Sequence, residues 1–462
     1  MSEPFYLSVA TLGAAFRSGA LDPLAVTKAF LERIAQLNPT LKCYKAIAEG
    51  AVAAAEASRT RHRSGTPLGP LDGVPVAVKD NYFTHDLPTT AGTTAPGISF
   101  PMVDSTPVER LRAAGAVILG KTVTHEFAWG TVTPPVANPW DTGRVPGGSS
   151  GGSASALAAG LCAAALGSDT GGSVRIPASL CGVVGLKATF GAISRHGIVP
   201  HSWSLDHPGP LTRTVEDAAL MFDVLAGPDE RDPATLLAAD ALDGGTAKSL
   251  AELTIGVCRR HFFDHVEPDV LGAVEAAIQF YQARGARVRE FDLPLLDYGL
   301  GAIFAIELAS STAYHDVSLR AGEVASFTSD VRDLVEMGRL VAAPDYLKAE
   351  QYRTALIEGF RAVMEEVDLI VTPTEPLVAW PIGEWTARIG GEDESVLAAS
   401  WRLTYPFNLT GMPAISLPCG FDRDGLPIGL QIAGRPFEEA CVLGAAAAYE
   451  SAHPWTGRRP PL

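Results

Sequence analysis

Cysteine is scarce: the 462 residues hold only Cys43, Cys162, Cys181, Cys258, Cys419 and Cys441, far apart and never as C-x-x-C. That spacing argues against a zinc ribbon or a disulfide scaffold and predicts reduced, mostly buried thiols in a cytoplasmic protein. Basic residues are in deficit, 36 Lys and Arg against 52 Asp and Glu for a formal charge of −16, which disfavours nucleic acid or an anionic membrane as partner. Long apolar runs are missing too. The longest, Ala156 to Gly167, is too short and too rich in small side chains to span a bilayer, and Met1-Ser2-Glu3-Pro4 lacks the basic n-region of a secretory signal. Charged residues make up 19% of the chain and hydrophobic ones 47%, so it can bury a large core and is not disordered.

What is present alternates between two periodicities. Asp22-Pro23 followed by Leu24, Ala25, Ala29, Phe30 and Ile34 predicts a helix with an Asp N-cap and Pro at N1. Short β-branched or apolar runs predict buried strands at 74–78, 116–119, 161–166, 253–257, 368–372, 413–417 and 428–433. Helical patterns fall near 106–114, 215–225, 268–284, 346–365 and 437–449. The expectation is an α/β protein with a mixed, largely parallel twisted sheet covered by helices on both faces. A single domain over 1–462 is expected, with a helical layer over about 1–70 and a surface excursion at about 226–249, rich in Asp, Gly and Ala.

Two familiar patterns are decoys. Gly115-Ala-Val-Ile-Leu-Gly120-Lys121-Thr122 spells a phosphate-binding loop, but the residues between the glycines read as the strand itself. Gly147-Gly148-Ser149-Ser150-Gly151 spells a nucleophile elbow, yet a polar, Pro-containing loop precedes it instead of an apolar strand. For a Ser-His-Asp triad only His207, in Asp206-His207-Pro208-Gly209, has a suggestive setting.

The stronger signal is a pair of glycine-serine loops, Pro146-Gly-Gly-Ser149-Ser150-Gly-Gly-Ser153 and Gly167-Ser168-Asp169-Thr170-Gly171-Gly172-Ser173-Val174-Arg175. Small apolar residues from Ala154 to Leu166 join them, so both loops should rest rigidly on a core where backbone can approach a ligand. With Gly69-Pro-Leu-Asp-Gly-Val-Pro-Val-Ala-Val-Lys79-Asp80-Asn81, Cys181-Gly-Val-Val-Gly-Leu-Lys187, Ser204-Leu-Asp206 and Asn408-Leu-Thr-Gly-Met-Pro413, these loops resemble the amidase signature family. The likeness extends over most of the chain from about residue 20 to 450.

That resemblance implies an amide hydrolase with Ser173 as nucleophile, Ser149 as bridging serine after a cis peptide bond from Gly148, and Lys79 as proton sink. It also implies an oxyanion hole from the amides of Thr170, Gly171, Gly172 and Ser173. The residue types suit the chemistry. A serine hydroxyl needs a base as it attacks, and lysine serves if neutral, which requires roughly 4 kcal/mol of bias against ionisation from burial and hydroxyl contacts. The apolar run Val74 to Val78 offers such a setting. Asp169 and Arg175 are expected to form an ion pair that shapes the loop.

The substrate is less legible. Glutamine-hydrolysing relatives, subunits of tRNA-dependent amidotransferases, carry an acid five residues before the proline of Pro-x-Asn-Leu, whereas here that proline is Pro406 and the position is Trp401. Phe127, Trp129, Trp401 and Tyr405, with Phe407, are candidates to line an apolar pocket or to be plain core aromatics, and Arg402 reads as structural. A small carboxylic amide is expected as substrate, with carbamate or ester cleavage open on the same triad. No cofactor or metal is called for, and a homodimer is left open.

Overall fold

The computed structural model describes residues 4–235 and 248–462, so residues 236–247 of the expected excursion lie outside the described residues. The helix predicted from Asp22 runs Pro23–Leu41, and the Asp22 carboxylate accepts the Ala25 amide at 3.1 Å, satisfying one of the amides that a helix start leaves free. Helices Val9–Ser18 and Ala51–Ser64 complete an N-terminal helical layer, which also gives one strand to the sheet.

The strands are β1 (Tyr44–Ile47), β2 (Pro75–Lys79), β3 (Val117–Thr122), β4 (Ala164–Asp169), β5 (Val184–Lys187), β6 (His207–Thr212), β7 (Thr254–Val257), β8 (Arg287–Glu290), β9 (Leu369–Pro373), β10 (Thr386–Ile389), β11 (Glu392–Ser395), β12 (Ala414–Phe421) and β13 (Pro427–Gly434). Eleven of them form one sheet in the order β1-β3-β2-β4-β6-β5-β12-β13-β9-β7-β8, and β10 with β11 forms a separate hairpin. The expected mixed α/β sheet is present. Its parallel pairs lie in two blocks, β2 with β3 and β4, and β7 with β8 and β9, and the strands between the blocks pair antiparallel.

This layout sets up the candidate site. β2 lies between β3 and β4, and all five of its residues are buried, as the uninterrupted apolar run requires. The helix Gly151–Ala158 packs on β2 and β4 with every residue buried, which explains its small side chains. One hydrophobic cluster runs from Val9 to Trp455. Each Leu, Ile or Val fully enclosed in it contributes about 1.5–3 kcal/mol relative to exposure. The six cysteines are unpaired, with five buried and Cys419 half-buried. Among the described residues no helix is long and apolar enough to cross a membrane.

Candidate active site

Lys79 ends β2 in full burial. Its Nζ lies 2.8 Å from Ser149 Oγ and 2.9 Å from Ser168 Oγ, the latter on neighbouring β4, and Asn81 Nδ2 donates to the same Ser168 oxygen at 2.9 Å. Burial pulls the ammonium pKa down to about 7, against the partial opposition of the Asp169 and Asp206 charges. The neutral form of such a lysine carries a free lone pair that can accept a proton. Ser168 and Asn81 lie within the motifs read from the sequence without being singled out, because only their spatial convergence on Nζ reveals their part.

Ser149 precedes the helix Gly151–Ala158, and the Gly148–Ser149 peptide is cis. A Cβ on Gly148 would collide with the backbone of Val132, so only glycine fits there. The second loop leaves β4 at Asp169 and enters the helix Arg175–Cys181. Gly172 holds φ +139°, and a side chain at that point would strike Thr404, whose hydroxyl instead donates to the Gly171 carbonyl at 2.6 Å. Ser150 N–H donates to the Ser173 carbonyl at 3.2 Å, tying the two loops together. The amides of Gly171, Gly172 and Ser173 have no acceptor among the described residues.

Buried polar contacts fix the loop from beneath. The Asp169–Arg175 pair is present, with Nε and Nη2 at 3.0 and 2.9 Å from the carboxylate. Arg175 also donates to Asn408 Oδ1, Gln431 Oε1 and the Thr404 carbonyl, and Asn408 Nδ2 donates back to Asp169 at 2.8 Å. Burial alone would raise the Asp169 pKa, but the Arg175 charge and these hydrogen bonds hold it well below the usual range. Thr170 Oγ1 donates to Asp206 at 2.7 Å.

Lys79 and Ser149 are thus in direct contact, and Ser173 joins them through backbone. Its Oγ makes no hydrogen bond to Ser149 among the described residues, a contact of the kind that commonly tightens when substrate arrives. Ser173 retains 5% exposure while Lys79 and Ser149 have none.

The candidate pocket aromatics separate. Trp401 lies beside the second loop, since a Cβ on Gly171 would stand 3.5 Å from its Nε1, and its ring packs on Phe304. Trp129 meets His201 edge-on at 4.2 Å and donates to Ser311 at 3.1 Å. Phe127 is packed between His315 and Phe327, Tyr405 donates to the Leu296 carbonyl, and Phe407 stacks on Phe262. Arg402 is held by the carbonyls of His261, Asp264 and His265.

Both decoys resolve structurally. Residues 117–122 are β3, with Lys121 buried against Thr89 and Asp80, and Ser149 follows a loop. His207 lies on β6 with Nδ1 against the Leu205 carbonyl at 2.6 Å, and burial pushes its pKa well below the ordinary value. Among the described residues the only group arranged to hold a metal is His85, Asp86 and Asp104, where His85 already pairs with Asp104 and Arg112 pairs with both aspartates.

Comparison with known proteins agrees across the chain. Residues 25–443 match the family model described as Amidase. An amidase of Pseudomonas putida is 41% identical, with 100% of this chain and 99% of that protein covered. A glutamyl-tRNA(Gln) amidotransferase subunit of Chloroflexus aggregans is 39% identical over 100% of this chain and 99% of its own length. Among solved structures, the peptide amidase of Stenotrophomonas maltophilia superposes with a TM-score of 0.83 at 31% identity, covering 98% of each chain.

Proposed function

The chain belongs to the amidase family and is a hydrolase acting on amide C–N bonds; from that premise we propose that it cleaves a small carboxylic amide through an acyl-Ser173 intermediate. One observation carries the reading: a fully buried lysine, brought to a pKa of about 7, touches Ser149 at 2.8 Å beside a loop whose amides are free. Ser173 Oγ attacks the amide carbonyl, its proton passes to Ser149 as the Ser149 proton passes to neutral Lys79, and the new C–O bond makes a tetrahedral oxyanion. The amides of Gly171, Gly172 and Ser173, with that of Thr170, receive that charge, and removing one such donor typically costs about 3 kcal/mol of transition-state stabilisation. The protonated Lys79 returns its proton through Ser149 to the leaving nitrogen, the C–N bond breaks, and water attacks the ester by the same relay.

Carbamates and esters present the same carbonyl to Ser173 and remain within this chemistry. A second reading, the glutaminase subunit of a tRNA-dependent amidotransferase, draws on the 39% identity to the Chloroflexus protein. Against it stands Trp401, where the glutamine-hydrolysing pattern has an acid. The test is ammonia release from a panel of aliphatic, aryl and peptide amides, with glutamine included. Turnover of a non-glutamine amide that Ser173→Ala abolishes supports the proposal; turnover of glutamine alone would replace it with the second reading.

A further inference from the structure

The helix Gly299–Tyr314 turns one carboxylate toward the glycine-serine loop. Glu307 is fully buried, and neither of its oxygens has a hydrogen-bond partner among the described residues. A Cβ on Gly171 would stand 3.4 Å from Glu307 Oε1, 3.5 Å from Trp401 Nε1 and 3.6 Å from Ile303, so these three groups border Gly171 of the loop. The nearest basic group is His201, whose Nε2 is 3.5 Å from Glu307 Oε2, too far for a good hydrogen bond. On its other side His201 lines a cavity of about 660 Å³ with Pro200, Trp203, Ala309, Tyr314 and Tyr346, whose walls do not include Glu307 or Ser173.

A buried carboxylate with no good hydrogen bond is costly, and such a group in a native protein calls for an explanation such as a ligand or a proton. We propose that Glu307 is a specificity-determining residue that receives a protonated amine carried by the substrate, making amino-bearing amides the preferred class. The inference rests on the acyl-Ser173 reading above. Charge favours a cation over a neutral donor here. Asp169 is matched by Arg175, but Asp206 accepts hydrogen bonds only from the neutral donors Thr170 Oγ1 and the amides of His201 and Ser202, and the one basic group beside Glu307 is His201 at 3.5 Å. Burial raises the Glu307 pKa, His201 partly opposes this, and Asp206 and Asp169 add to it; an ammonium seated on the carboxylate offsets the repulsion from those two carboxylates. Trp401, with its ring on Phe304, supplies an apolar wall for the carbon chain between amine and carbonyl.

The test uses matched amides in which a methyl replaces the ammonium: 3-aminopropanamide against butanamide, and longer ω-amino amides against their alkyl isosteres, at pH 8. The wild-type enzyme is expected to favour the amine at one chain length by at least about tenfold in kcat/KM, expressed in KM, and Glu307→Gln to bring that ratio within about threefold. Equal turnover of amine and isostere at every length by the wild type, or a Glu307→Gln enzyme that keeps the wild-type ratio, overturns the inference. Fluorophosphonate labelling of Ser173 is measured in parallel. Labelling in both enzymes with no amine preference refutes the Glu307 assignment alone; no labelling in the wild type refutes the acyl-Ser173 reading beneath it.

Discussion

Lys79→Arg separates a base from a mere cation. The wild-type amine falls from 10.5 to about 7 because it is fully buried, a bias of about 5 kcal/mol against the charged form. An unperturbed lysine would be neutral in about one molecule in three thousand at pH 7, so burial raises the supply of free base about a thousandfold. Acylation should therefore climb about tenfold per pH unit below 7 and level off above about 8, as read by stopped-flow reaction with an activated ester or by fluorophosphonate inactivation. Lys79→Ala should lower the rate at least about a thousandfold and flatten the limb, and Lys79→Arg should fail as badly, since guanidinium stays charged. The same shift has a stability signature. Between pH 7 and 10.5 the unfolded chain holds a proton on Lys79 that the folded one lacks, so folding is strengthened as pH rises through that window. Lys79→Met should be the more stable protein at pH 6, its advantage shrinking by about 1.4 kcal/mol per pH unit above 7. A Lys79→Arg enzyme with substantial activity and an unchanged pH profile would refute the reasoning.

Asp169→Asn should cost about 3–5 kcal/mol in urea unfolding, because Arg175 is left buried without its charge partner. Gly172→Ala should cut kcat at least about a hundredfold, as a side chain at φ +139° would strike Thr404 and turn the loop amides away; unchanged kcat would contradict that geometry. His207→Ala should leave kcat/KM of the folded enzyme within about tenfold, since His207 is bonded to the Leu205 carbonyl and not to a serine. EDTA should leave the rate unchanged, and a loss restored by added metal would contradict the triad chemistry.

The serine loops were legible because glycines and serines on a rigid, small-residue support have few other uses, and in the structure Lys79 Nζ lies 2.8 Å from Ser149 Oγ. Strands with continuous apolar runs were legible as well, within a few residues of β2, β3, β7, β9, β12 and β13. β6 was not, because His207-Pro-Gly-Pro-Leu-Thr212 carries two prolines and a glycine that disguise a buried strand. β1 and β5 are four residues each, too short to show a period. The helix Gly299–Tyr314 escaped because it is apolar on nearly every side in its first ten residues, leaving no amphipathic contrast. With it went Glu307, whose one signal was an acid standing alone in an apolar segment. The pocket aromatics could not be sorted from sequence, because Phe127, packed on its aromatic neighbours, and Trp401, beside Gly171, differ only in tertiary placement.

The central claim is that acyl transfer runs through Ser173. Rapid acid quench of the enzyme with a slowly hydrolysed amide or activated ester, followed by intact-mass measurement and peptide mapping, tests it directly. One acyl group is expected on Ser173 in the wild type and none in Ser173→Ala. An acyl group on Ser149, or full turnover with no acylated serine, would contradict the claim.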